Sequence, residues 1–512
     1  MNHNPDIAVL KQVHENKQDV LERRRAGILL HLSSLPGRPD NGDLGHDAYR
    51  FVEFLADTGI SVWQMLPIGP THEDASPYQC LSVHAGNPAF ISLDWLVDKH
   101  WLEIDMCRKQ RENKAQRHDC LLKAFDTFQQ WSDPEIVHQF ETFQQENSEW
   151  LDDFALYCTI RQISNNRPWY EWSPELRQGD QDALNKIRSE YKEKILQYKF
   201  EQYVFFRQWH ELKDYANRRG VWLFGDMPIF VAHDSAEVWA HREYFAVDPD
   251  GELETQAGVP PDYYSKTGQR WGNPHYRWDY MQTDGFKWWL QRMRTQLELF
   301  DLVRVDHFRG FEAYWEIPAG DMTAENGRWV KAPGDRLLEF LNMAFDSLPL
   351  VAEDLGVITP EVVQLRQRFN LPGMKILQFA FSGENSNPYL PHNHEDLSVV
   401  YTGTHDNDTT LAWYESLSDE SKAYINEYFG DTNAEGMPWT LIRSALGSVS
   451  RLAILPMQDI LSLGQGHRMN KPGTTEGNWS WRFQWEQVTP EIRQRLYHML
   501  NLYGRKTIPG PD

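Results

Sequence analysis

Short apolar runs bounded by glycine or proline alternate along this chain with longer stretches whose apolar residues recur at helical spacing. The first run, 27–36, is mostly apolar and closes on Leu35-Pro36. Residues 47–58 follow, with Tyr49, Phe51, Val52 and Leu55 on one helical face and a stop at Gly59. Residues 61–69 form the next apolar run. Strand, helix and strand in so short a span make a βαβ unit, which implies parallel strands. The alternation resumes at 221–231 and continues through runs at 302–308, 350–354, 374–381, 398–405 and 452–459, with helical spacing over 335–346 and 360–369. Strand centres near 28, 63, 223, 303, 351, 376, 400 and 453 predict an α/β fold, a (β/α)8 barrel formed by 1–512 as a single unit. The first and sixth strands are placed only to within several residues.

The rest of the pattern decorates that barrel. Residues 1–24 read as a charged helix whose basic end, Arg23-Arg24-Arg25, suits a solvated terminus. From 91 to 220 the chain is rich in Lys, Glu, Gln, Arg and Trp at helical spacing, which predicts a mainly helical insertion between strands two and three. Turn residues at 75–79 and 85–89 flank Tyr78 and keep it out of the core. A Gly- and Pro-rich stretch within 250–275 predicts a long loop covering the mouth of the barrel.

Polar residues that interrupt the strands carry the candidate chemistry. Arg304 and Asp306 break the apolar run 302–308, and alternation along a strand points both to the same side. There they must pair, and pairing would hold Asp306 ionised. Glu353 and Asp354 end one strand and His405 and Asp406 another. In a barrel of this kind, functional residues sit at C-terminal strand ends. A carboxylate nucleophile, a carboxylic acid and a third carboxylate supporting a developing positive charge make up the set that glycoside chemistry uses. The plain alternative is a structural ion pair closing a barrel layer.

Composition narrows the classes. The 512 residues carry a formal charge of −23, which repels nucleic-acid backbones and argues against such a partner. No apolar run is long enough for a membrane span. The polar N-terminal stretch lacks an apolar signal core, and Cys80, Cys107, Cys120 and Cys158 show no C-x-x-C spacing, so a cytoplasmic protein without disulfides is expected. The 21 tryptophans and 21 tyrosines offer flat faces suited to sugar rings, although most belong to the core. There is no G-x-S-x-G, Walker A or H-E-x-x-H sequence, and His405-Asp406 is at most half a metal site.

Nine segments, in order, make the chain resemble the 4-α-glucanotransferases (amylomaltases, or disproportionating enzymes) of glycoside hydrolase family 77, relatives of the α-amylases. They are Ser-Pro-Tyr-Gln at 76–79, Gly-Asp-Met-Pro-Ile-Phe at 225–230, Ala-Gly-Val-Pro-Pro-Asp at 257–262, Trp-Gly-Asn-Pro at 271–274, Arg-Val-Asp-His-Phe-Arg-Gly at 304–310, Ala-Glu-Asp-Leu-Gly at 352–356, Gly-Thr-His-Asp-Asn at 403–407, Arg-Met-Asn-Lys-Pro-Gly at 468–473 and Gly-Asn-Trp at 477–479. The resemblance implies Asp306 as nucleophile, Glu353 as general acid/base and Asp406 as transition-state stabiliser. It also implies that Arg304 orients Asp306 and that Asp226 and His405 meet sugar hydroxyls. Tyr78 would stack beneath the donor ring, Ser76 would bind substrate, and Gln269, Trp271 and Asn470 would line the acceptor side.

The implied reaction is segment transfer between maltodextrins (α-1,4-glucans) by a retaining double displacement, with no metal or organic cofactor. A hydrolase with the same carboxylates and a non-catalytic glucan-binding barrel are the rival expectations. Oligomeric state is not legible.

Overall fold

The structure, a computed structural model, describes residues 20–37, 41–112, 117–261, 265–345, 347–430, 432 and 435–506. Most of the charged helix expected over 1–24 lies outside the described residues. Eight strands form one parallel sheet: β1 (Arg25–Leu29), β2 (Val62–Gln64), β3 (Trp222–Pro228), β6 (Leu302–Asp306), β9 (Leu350–Ala352), β10 (Gly373–Ile376), β11 (Ser398–Tyr401) and β12 (Leu452–Pro456). The order is β10-β11-β12-β1-β2-β3-β6-β9. The Ala352 N–H donates to the Pro372 carbonyl at 2.9 Å, linking β9 to the start of β10 and nearly closing the sheet into a barrel. All eight expected strands are present. The first and sixth are shorter than their apolar runs, because 32–34 and 377–379 turn into 3₁₀ helix.

Alternation along the strands sorts side chains into two apolar clusters. Val62, Phe224, Leu302, Val351, Ile376, Val399, Tyr401 and Ile454 fill the lumen. Ile28, Trp63, Leu223, Val303, Val305, Leu350, Ala352, Val400 and Ala453 face the surrounding helices. Gly27 belongs to the lumen series, where a Cβ would lie 2.5 Å from Ile454 Cδ1 and 2.9 Å from Val62 Cβ, so neighbours occupy its place. The same parity runs 302, 304, 306 along β6 and 351, 353 along β9. It therefore delivers Arg304, Asp306 and Glu353 to the top of the lumen.

Between β2 and β3 lies a run of helices that ends in Lys192–Arg218. This long helix steadies the segment after β2. Two buried glutamines on it act as backbone partners. Gln202 exchanges hydrogen bonds with the Gly86 N–H (2.8 Å) and carbonyl (2.9 Å), and Gln208 does the same at Ser92 (2.7 and 3.2 Å). Phe205 packs so close to Gly86 that a Cβ there would lie 2.0 Å from its ring.

The stretch expected as a loop over 250–275 instead contains two strands, β4 (Thr255–Val259) and β5 (Gln269–Pro274). They join β7 (Ala313–Pro318) and β8 (Arg328–Lys331) in an antiparallel sheet of order β5-β4-β7-β8. Glycine and proline read as loop in isolation, whereas the pairing that makes strands here, Gln256 with Ile317, is distant in sequence. Among the described residues no helix is long and apolar enough to cross a membrane.

Candidate active site

Register assembles the centre of the site. In a parallel ladder, residues opposite each other present their side chains to the same face, and β3 sets Asp226 opposite Arg304. The Arg304 guanidinium accordingly grips Asp226, with Nη1 2.8 and 2.6 Å from its two oxygens, and reaches Asp306 through Nη2 at 2.7 Å. Arg304 and Asp226 side chains are 6% and 1% exposed, against 29% for Asp306. One fork thus fixes two carboxylates and leaves only one of them open above the lumen. Burial works against the charge on Arg304, yet Asp226 and Asp306 outweigh it and hold the group firmly ionised. Replacing Arg304 by methionine strands the buried Asp226 and takes the partner from Asp306. It should lower unfolding stability by about 3–5 kcal/mol, read from the denaturant midpoint, and a loss below about 1 kcal/mol would remove this cluster from the scaffold's supports.

Glu353 follows β9 and is fastened by backbone. The His307 N–H donates to Oε2 at 2.7 Å and the Leu355 N–H to Oε1 at 3.2 Å. His307, next to Asp306, can offer its N–H because it adopts a left-handed conformation (φ 54°, ψ 46°), rare for a residue with a side chain. Its neighbour Asp354 points the other way. It pairs with Arg366 at 3.2 Å and accepts from the Met374 N–H at 2.7 Å, joining β9 to β10. Of the two acids at this strand end, only Glu353 belongs to the site.

Burial raises both central acids. The Asp306 carboxyl is pushed up to about 6, burial and the nearby Asp226 and Asp406 outweighing the opposing pull of Arg304. Glu353 is pushed up to about 8, by burial first and by Asp306 as well, against Arg304 and the His307 N–H. The strand pattern predicts that pairing with Arg304 favours the ionised Asp306; Arg304 does pull that way, but desolvation is the larger effect and raises the carboxyl. Glu353 is raised further than Asp306, so of the two it is the one that favours holding a proton.

The remaining wall comes from loops. Tyr78 donates its hydroxyl to Asp226 at 2.7 Å and stacks on His405 with ring centres 5.1 Å apart and a 17° tilt. Burial holds His405 below the usual histidine range, opposed by Asp406, so its imidazole is neutral at pH 7. Asp406 is 46% exposed and lies 3.3 Å from His405 Nε2. Asn470 donates to Asp406 Oδ1 at 2.6 Å, so it stands against that acid rather than apart from it.

On β5, the Trp271 indole N–H donates to Gln269 Oε1 at 3.2 Å, and its ring meets His307 edge-on at 4.8 Å. Ser76 lies in the turn that carries Tyr78, with its N–H bonded to Asp74 Oδ1 at 3.1 Å and its carbonyl accepting from the Gln79 N–H at 3.2 Å.

Three contributors escaped the sequence reading. They are the His307 backbone, Trp479, whose ring tilts against Tyr78 and His405 at 6.0 and 6.1 Å, and Arg468, which bonds the Asp406 carbonyl. The first depends on one backbone angle. The other two lie within short distinctive segments, but no spacing rule singles them out.

Comparison with known proteins agrees along the chain. The family model of glycoside hydrolase family 77, described as 4-alpha-glucanotransferase, matches residues 30–488. A 4-alpha-glucanotransferase of Thermus thermophilus is 47% identical, covering 93% of this chain and 98% of that protein. One from Synechocystis is 46% identical, covering 95% and 99%. The solved amylomaltase of Streptococcus agalactiae, in complex with acarbose, superposes with a TM-score of 0.91 at 36% identity, over 95% of this chain and 100% of that one. This chain therefore belongs to glycoside hydrolase family 77, the 4-alpha-glucanotransferases.

Proposed function

We propose that the chain transfers segments of α-1,4-glucan from one maltodextrin to the 4-hydroxyl of another, with net retention. The observation that carries this reading is a pair of acids held differently at the ends of adjacent strands. Asp306 takes a hydrogen bond from the Arg304 guanidinium, which favours its ionised form, and Glu353 stands at the end of the neighbouring strand in a setting whose burial raises its carboxyl and favours the protonated form. Asp306 attacks the anomeric carbon as Glu353 protonates the departing glycosidic oxygen, and the reducing-end piece leaves. A β-linked glucosyl–enzyme remains. Glu353, now ionised, takes the proton from an incoming 4-hydroxyl, which attacks the same carbon and releases Asp306. A retaining pair of this kind works with its carboxyl groups about 5–5.5 Å apart.

In this reading Asp406 supports the oxocarbenium charge of both transition states. Asp226, His405, Tyr78 and Ser76 hold the donor sugar, and Gln269, Trp271 and Asn470 lie toward the acceptor. Transfer over hydrolysis requires that water be kept from the glucosyl–enzyme until an acceptor arrives. The β4–β5 hairpin is our candidate for that role, since its Trp271 abuts His307 beside Asp306. Shortening 260–268 should raise the ratio of glucose release to glucan transfer several-fold, measured on maltotriose. An unchanged ratio would remove the hairpin from this role.

The deciding assay of function is maltotriose alone, with products separated by size. A ladder of longer maltodextrins accompanied by glucose is expected. Glucose and maltose with nothing longer would make the protein a hydrolase.

A further inference from the structure

Asp306 and Glu353 inherit their positions from strands, but Asp406 does not. It lies beyond the end of β11, in the following loop and with its side chain 46% exposed, Tyr401 being the last strand residue. A short turn closes around it, in which the Thr404 N–H and hydroxyl donate to Asn407 Oδ1 at 2.8 and 2.9 Å. Those bonds shape the backbone, and within the turn His405 Nε2 lies 3.3 Å from Asp406 Oδ1. The carboxylate is aimed from a different loop, the one after β12, by Asn470. Arg468, in that same loop, adds a bond from its guanidinium to the main chain of the Asp406 loop.

We infer that Arg468 is a positioning residue for the reaction, locking the loop of Asp406 to the loop of Asn470 so that the third carboxylate faces the developing cation. Its Nη2 donates to the Asp406 carbonyl at 2.7 Å and its Nε to the Asn470 carbonyl at 2.8 Å, while Nη1 lies 3.7 Å from Asp408 Oδ2. The Asn470 N–H closes the clasp by donating to the His405 carbonyl at 3.0 Å. Both hydrogen bonds of Arg468 go to main-chain carbonyls, one of Asp406 itself and one of Asn470 in its own loop, so its work is to set loop geometry. A lysine cannot reproduce it, because its single ammonium lacks a rigid fork directed at two carbonyls. The inference rests on Asp406 acting as proposed above.

A misaimed carboxylate weakens the transition state more than the ground state, and displacements of an ångström cost about 10- to 100-fold in rate. Arg468→Gln should therefore lower kcat on maltotriose by that factor with KM changed less than about twofold, and Arg468→Lys should recover only part of the loss. Affinity for deoxynojirimycin, a cationic mimic of the transition-state sugar, should fall in step with kcat. Affinity for an uncleavable thio-linked maltotriose should not change.

Wild-type kcat and deoxynojirimycin affinity in Arg468→Gln would overturn the inference. So would a joint loss of both ligands with a lowered Tm, which marks a merely structural role. Asp406→Asn separates the two levels. If it loses kcat and the cationic inhibitor while Arg468→Gln loses neither, the inference fails and the role of Asp406 stands. If Asp406→Asn retains both, the role of Asp406 falls and takes the inference with it.

Discussion

Asp306→Asn should bring turnover of maltotriose down by roughly four orders of magnitude or more, the usual scale for removing a covalent nucleophile. Asparagine keeps the volume of the side chain and can still accept from Arg304 through its amide oxygen, but it has no anionic oxygen with which to attack. Arg304 retains both bonds to Asp226, so the floor of the site survives the change. Binding of maltodextrins, measured by calorimetry, should stay close to wild type. A variant that keeps a tenth of the activity would take Asp306 out of the nucleophile role. A variant that loses binding as well would assign the residue to substrate recognition.

Glu353→Gln should lower kcat on ordinary maltodextrins by about 10²- to 10⁴-fold, the range of a lost general acid. First-turnover release of fluoride from a maltosyl fluoride donor should be far less affected, since that leaving group departs without a proton. Transfer from that donor to an external sugar would remain slow, because Glu353 also deprotonates the acceptor. Both central acids enter the pH dependence. Activity requires Asp306 ionised, so kcat/KM rises with pH through the value near 6 to which burial has pushed that carboxyl. It also requires Glu353 protonated, so kcat/KM falls again above the value near 8 to which burial and Asp306 have pushed the second. The two limbs belong to the coupled pair as macroscopic values. In Glu353→Gln the alkaline limb should vanish, and its persistence would point to a different acid.

Trp271 shows how far a sequence reading of the site can go. Its place near the acceptor came from resemblance, whereas its contact with His307 comes from a β hairpin that the Gly/Pro-rich sequence disguised as a loop. Asp226 is similar. A lone acid in an apolar strand signals a site, but nothing local reveals that it shares the Arg304 fork with Asp306. The register of β3 against β6 decides that, and register is a property of the closed barrel. The rise of Asp306 toward 6 was also hidden, since it depends on how much water the assembled lumen excludes.

By itself, the sequence determined the eight strands and their parallel alternation, because apolar periodicity and glycine or proline punctuation are local signals read one element at a time. It also determined that Arg304, Asp306 and Glu353 stand at strand ends, because alternation of side chains is built into every strand. Only the tertiary structure decided which of the two acids ending β9 faces the lumen, which loop aims Asp406, and that His307 turns left-handed to fasten Glu353. The physical reason is the same in each case. These outcomes depend on hydrogen bonds and burial between segments far apart in the chain, and such partners exist only once the barrel has closed.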